Sequence, residues 1–102
     1  IPGIKADAYQ QFRGLEIEHT LIDVRTVSEF EANHLPNAIN IPLNQLDPEQ
    51  LDFTLNDKIY VICQSGKRSA QAVKQLQSNH PKTQFYSILG GMNQMMTLSH
   101  NP

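Results

Sequence analysis

The chain has one cysteine and no tryptophan in 102 residues. A lone thiol cannot close an internal disulfide, so stability has to come from packing. Four histidines and that cysteine show no spacing that reads as a zinc site, and no metal is expected. Basic residues are also few. Eight Lys and Arg against ten Asp and Glu give a formal net charge of −2 with no basic stripe, which argues against phosphate backbones as partners. Long apolar runs are missing too: the stretch Ile59-Tyr60-Val61-Ile62-Cys63 is far shorter than the ~20 residues needed to cross a bilayer. No signal-peptide pattern is visible at the N-terminus, so neither a membrane span nor secretion is expected, and a cytoplasmic location is. Repeats and low-complexity tracts are absent.

What is present is an ordinary globular composition, 39% hydrophobic and 18% charged, in a length that suits one core; residues 1–102 are read as one domain. The start at Ile1 rather than methionine is what a trimmed chain, a mature product or a domain cut from a longer protein would have.

Along the chain, short apolar runs alternate with helical patterns. Ala6 to Arg13 predicts a helix closed by Gly14 in the left-handed C′ position. Thr20 to Val24 predicts a strand with charge near its end. Thr26 and Glu29 have capping-box spacing, which starts a helix running from about Val27 to Asn33 and stopped before Pro36. Ala38 to Ile41 reads as a strand, and Leu43 to Leu55 as one or two helical turns with Asp47-Pro48 at an N-terminus. Lys58 to Ile62 is the strongest strand, combining β-branched and aromatic residues in an apolar run that ends at Cys63, and should be central. Ser69 to Ser78 predicts a helix, Gln84 to Leu89 a strand, Gly90-Gly91 a tight turn, and Met92 to Leu98 a last amphipathic segment packing Met92, Met95 and Met96 on the body. The alternation implies an α/β fold with a mainly parallel central sheet, flanked by helices on both faces.

The chemistry concentrates in Cys63-Gln64-Ser65-Gly66-Lys67-Arg68-Ser69, between the central strand and a helix. In an open α/β sheet the carboxyl ends of strands face the ligand crevice, and the helix that follows offers unpaired N–H groups and a positive dipole end to the same place. A loop curled around the sulfur of Cys63 would favour its thiolate. Lys67 and Arg68 add positive charge, and Gly66 permits a tight bend. A lone cysteine at a strand end is by default a small buried hydrophobe, and local features alone leave both readings open.

The same loop resembles the Cys-x-x-Gly-x-Arg-Ser active-site loop of single-domain rhodaneses. Leu21-Ile22-Asp23-Val24-Arg25, Glu29-Phe30, His34-Leu35-Pro36 and Ala38-Ile39-Asn40-Ile41-Pro42 resemble that family's upstream signature, and Leu89-Gly90-Gly91-Met92 its C-terminal turn. Two departures stand out: Asn33 and Asn37 occupy positions where glycine is commoner, and asparagine is expected to supply the left-handed backbone there. The resemblance implies a rhodanese-like fold and a sulfurtransferase without cofactor. Cys63 would be nucleophile and sulfur carrier, passing a persulfide sulfur from a small-molecule donor such as thiosulfate, or from a persulfide-carrying protein, to a thiophilic acceptor. The amides of Gln64, Ser65, Gly66, Lys67, Arg68 and Ser69 would cradle the anion, and the side chains of Lys67 and Arg68 would meet an anionic donor. Asp23 and Arg25 are read as supports that position the loop, Glu29 as a helix cap, and His34 as the lock of its turn. The wording of the loop also resembles the rhodanese domain found at the C-terminus of sulfur-activating adenylyltransferases, which implies fusion to, or partnership with, a sulfur-carrier activating enzyme. Two other readings compete. One is a non-catalytic rhodanese module used for binding or regulation. The other is a cysteine-dependent phosphatase, disfavoured because Arg68 follows Cys63 after only four residues.

Overall fold

The computed structural model describes residues 2–53 and 58–99. Five parallel strands form one sheet in the order β1-β5-β4-β2-β3, where β1 is Gly3–Lys5, β2 Thr20–Asp23, β3 Ile39–Asn40, β4 Lys58–Ile62 and β5 Gln84–Leu89. The helices are α1 (Ala6–Gly14), α2 (Val27–Ala32), α3 (Lys67–Asn79) and α4 (Gly91–Ser99). This is the α/β architecture that the alternation of patterns implied, with β4 in the centre.

The period of two along each strand divides the core. Ile59, Val61 and Cys63 point to one face, where they meet Ala72, Val73 and Leu76 of α3 together with Phe85. Tyr60 and Ile62 point to the other, against Ala6 and Tyr9 of α1 and Met92 and Met95 of α4. Both faces of β4 are therefore covered, and each fully buried aliphatic side chain contributes roughly 1.5–3 kcal/mol. Met96, expected on the body with its neighbours, is 40% exposed, since it falls on the outer side of α4.

The capping box is formed: Thr26 Oγ1 accepts from the Glu29 amide and Glu29 Oε1 accepts from the Thr26 amide. His34 Nδ1 lies 2.8 Å from the Phe30 carbonyl, and its ring stacks on Phe30 at 3.8 Å, so it does lock the turn after α2. Asp47 Oδ1 accepts from the Glu49 amide in the second of two 3₁₀ turns, Leu43–Gln45 and Pro48–Gln50; the part of the predicted segment that reaches Leu55 lies outside the described residues.

Several expectations are corrected. Gly14 does not supply a left-handed cap. The last turn of α1 tightens through Leu15 N–H to Phe12 O and Glu16 N–H to Arg13 O bonds, and the reversal falls on Glu16 at φ 57°. Asn37 is left-handed as expected (φ 68°), whereas Asn33 is extended (φ −168°), because α2 ends a residue early at Ala32. The edge strand β1 was not foreseen: three residues in an exposed–intermediate–exposed pattern carry no period, and only the open edge of β5 defines it. Helix α3 begins at Lys67 rather than Ser69, since the Gly66 carbonyl already accepts from Ala70 N–H.

Candidate active site

The carboxyl ends of β2, β4 and β5 bring Asp23, Cys63 and the Gly90-Gly91 turn together, and the loop from Gln64 to Gly66 bends between β4 and α3. Gly66 makes the bend at φ 101°, and a Cβ there would lie 3.2 Å from the Gly90 amide nitrogen, so the position requires glycine twice over.

Cys63 is fully buried (0% exposed), yet its sulfur faces polar groups. The Gly66 amide donates to Sγ at 3.0 Å, and Ser69 Oγ lies 3.5 Å away. Burial pushes the thiol pKa up. The Ser69 hydroxyl and the amides of Ser69, Gly66 and Ser65 act the other way and prevail, leaving it below the ordinary value. Gly66 and Ser69 are thus the loop members that hydrogen-bond the sulfur.

Helix α4 sets the loop's peptide planes. Met92 N–H donates to the Cys63 carbonyl at 2.8 Å and Asn93 N–H to the Gln64 carbonyl at 3.0 Å. In a trans peptide the carbonyl and N–H point in opposite directions, so the amides of Gln64 and Ser65 are turned away from α4. The first turn of α4, short of acceptors of its own, thereby fixes which way the loop's donors point.

Asp23 and Arg25 form a buried ion pair at 2.8 Å, 0% and 1% exposed. Arg25 also donates to Gln64 Oε1 (3.2 Å) and to the Asn33 carbonyl (2.7 Å), while Gln64 Nε2 donates to Asn93 Oδ1 at 2.6 Å. The chain Asp23–Arg25–Gln64–Asn93 runs from the end of β2 through the loop after β4 to the first turn of α4. Asn40 holds the same region from β3, donating to the carbonyls of Asp23 and Arg25 at 3.0 Å each.

Arg68 is engaged elsewhere than at the sulfur: its guanidinium donates to both carboxylate oxygens of Glu29, at 2.8 and 3.0 Å. Glu29 is therefore more than a helix cap. Lys67 stays exposed. Both cations stand in the first turn of α3, where the helix dipole disfavours positive charge, and the Glu29 contact offsets that for Arg68.

The Glu29 carboxyl is held down to about 2, chiefly by the Arg68 hydrogen bond and next by the Thr26 amide. A depressed acid stabilises the fold above its unfolded pKa and loses that contribution as pH falls through the folded one. The window runs from about pH 4.5 down to about 2. The pair is a third exposed, so the effect is of surface size, ~0.2–1 kcal/mol. Glu29→Gln should flatten the pH dependence of the thermal midpoint across that window; an unchanged slope would show that Arg68 and Glu29 do not pair in solution.

Sequence reasoning missed Ser87, on β5. It is 2% exposed, on the same strand face as Phe85, and its Oγ lies 2.7 Å from Ser69 Oγ. The available signal was a hydroxyl on the buried face of an otherwise apolar strand.

A parallel α/β sheet with a lone cysteine at the C-terminal edge of its central strand, wrapped by a short loop of inward amides, defines a recognisable class of domain. The sequence profile of the rhodanese-like domain matches residues 5–97, and the chain belongs to that family. It is 43% identical over 75 residues to the adenylyltransferase and sulfurtransferase uba4 of Ogataea parapolymorpha, covering 72% of this chain and 19% of that protein. It is 34% identical over 92 residues to YrkF of Bacillus subtilis, covering 90% of this chain and 49% of YrkF. The chain thus spans about half the length or less of these two relatives. Among solved structures, a rhodanese-like domain protein from Staphylococcus aureus superimposes with a TM-score of 0.83 at 29% identity, covering 93% of this chain and 91% of that one. Among the described residues no helix is long and apolar enough to cross a membrane, and no group of three or more His, Cys, Asp or Glu could hold a metal ion.

Proposed function

We propose that residues 1–102 act as one sulfurtransferase domain carrying sulfane sulfur as a persulfide on Cys63. The observation that carries this reading is the Gly66 N–H 3.0 Å from the sulfur, at the end of the central strand. A negative sulfur is stabilised there by fixed dipoles that need no reorganisation. In the first step the Cys63 thiolate attacks the outer sulfur of a donor such as thiosulfate. A new S–S bond forms, the donor's S–S bond breaks, and sulfite leaves with the electron pair. In the second step a nucleophilic acceptor attacks the outer sulfur of the persulfide, and the Cys63 thiolate leaves. Because Cys63 is covered in this structure, the groups over its sulfur have to give way for a donor to reach attack distance of roughly 3–3.5 Å. Exposed Lys67 is the cation free to meet an anionic donor, Arg68 being taken by Glu29. The commitment of Arg68 also weighs against a phosphatase, which needs that guanidinium on the phosphate. Since uba4 is named for both adenylyltransferase and sulfurtransferase activities, a protein acceptor activated by such an enzyme is a fitting second partner. We propose the cytoplasm as the place of these reactions.

Intact mass spectrometry after exposure to thiosulfate, glutathione persulfide or a cysteine desulfurase tests the proposal. The native chain should gain one sulfur atom, Cys63→Ala none, and cyanide should remove it. No gain from any of the three donors would leave the binding-module reading in its place.

A further inference from the structure

The reading of Cys63 as a sulfur carrier assigns no task to Ser87. We propose that Ser87 is a positioning residue: it donates its hydroxyl proton to Ser69 Oγ, so that the single proton of Ser69 is free to turn to the Cys63 sulfur whenever that sulfur is negative. The proposal rests on the sulfur-carrier reading for its purpose but not for its test.

The argument is a count of protons. A serine hydroxyl has one donor and two acceptor sites. Ser69 Oγ has three neighbours: the Gly66 carbonyl at 3.1 Å, Cys63 Sγ at 3.5 Å and Ser87 Oγ at 2.7 Å. The last distance is that of a well-formed bond between two hydroxyls, and both residues are buried, at 0% and 2% exposed. If Ser69 donated to Ser87, it would have nothing left for the Gly66 carbonyl or the sulfur. If Ser87 donates instead, every contact is satisfied. With a neutral thiol, S–H donates to Ser69 Oγ and Ser69 donates to the Gly66 carbonyl. With a negative sulfur, Ser69 swings its proton to Sγ, and the Gly66 carbonyl keeps the Ala70 N–H at 3.2 Å. The residues registered beside Ser87 are Gly3 on β1 and Val61 on β4, neither of which has a polar side chain to compete for its hydroxyl.

The charged groups near Cys63 are Lys67 and Arg68 of α3, the Asp23–Arg25 pair at the end of β2, and Glu29 of α2 across Arg68. Helix α4 has no ionisable side chain, and the only one on β5, Tyr86, stacks on Tyr60 at the opposite face of the sheet. A titration of Cys63 altered at Ser87 is therefore not relayed through another charge.

The test is the pH profile of iodoacetamide alkylation, unambiguous in a chain with one cysteine. Ser87→Ala should react roughly threefold to tenfold more slowly than native protein at neutral pH, with the profile displaced to higher pH and the same limiting rate in alkali. The alkaline limit reports access and the displacement reports ionisation. Ser87→Thr and Ser87→Val, equal in size, separate the hydroxyl from packing: Thr should follow the native profile and Val the Ala profile. In a Ser69→Ala background, Ser87→Ala should add nothing. Superimposable native, Ser87→Ala and Ser87→Val profiles would overturn the proposal, as would an equal slowing at every pH, or a full Ser87→Ala effect persisting in the Ser69→Ala background. Failure of the native chain to take up sulfur would sink the carrier reading while leaving these profiles fully informative.

Discussion

Arg25→Ala is expected to lower the thermal midpoint by on the order of 20 °C. Asp23 and Arg25 are buried, and the carboxylate makes all its charged contacts with this guanidinium: Nε to Oδ1 at 3.0 Å, Nε to Oδ2 at 3.1 Å and Nη2 to Oδ2 at 2.8 Å. Removing the cation strands a buried negative charge, which costs about 3–5 kcal/mol. A domain of this size has only ~5–15 kcal/mol in total, and each kcal/mol moves the midpoint by about 4–8 °C. The pair as a whole is a different matter, because desolvating two charges offsets most of their attraction. Asp23→Leu with Arg25→Met should therefore recover most of the lost stability. Sulfur uptake should not recover with it, since Gln64 and the Asn33 carbonyl both lose their donor. Thermal denaturation followed by circular dichroism, alongside the mass assay, separates the two effects. An Arg25→Ala midpoint within a few degrees of native would mean that loss of the guanidinium strands no buried charge, and the anchoring role would fall.

The strand–helix alternation, the central place of β4 and the position of the cysteine loop were legible because they rest on local rules: β-branched runs, a capping box, a proline stop. What was not legible depends on partners distant in the chain. Three residues of β1 become a strand only beside β5, and Glu29 gains its second role only because Arg68 arrives from the far side of the loop. The misjudged backbone positions have a related cause. Gly14 and Asn33 were assigned by residue type, yet whether a position is left-handed is decided by where the hydrogen-bond ladder stops, at Glu16 and Ala32. The cradle was anticipated from the loop's composition, whereas the direction of the first two of its amides is imposed by α4, which is distant in the chain. The sulfur is closed over, with the Gly66 amide and the Ser69 hydroxyl against it.

That dependence on α4 makes Gly91 the most sensitive glycine of the chain. Its φ is 55°, and a Cβ would stand 2.3 Å from the Cys63 carbonyl oxygen and 2.8 Å from the carbonyl carbon and oxygen of Gln64. These are backbone atoms, which cannot swing aside as a side-chain end can, and the left-handed conformation adds about 1–2 kcal/mol for any side chain. Gly91→Ala has to push the loop off the first turn of α4, breaking the Met92 and Asn93 amide bonds that orient its peptide planes. The expected cost is about 3 kcal/mol or more in stability. Where the protein still folds, sulfur uptake should fall by on the order of a hundredfold, since a displacement near 1 Å suffices for that. Gly14→Ala is the matched control of opposite sign. It has no neighbour within 4 Å and an ordinary helical backbone, so alanine should stabilise by about 0.4–1 kcal/mol and leave transfer unchanged. If Gly91→Ala kept native uptake kinetics, the loop's donors would have to be oriented by the Gly66 bend alone, and the coupling of α4 to the sulfur would be wrong.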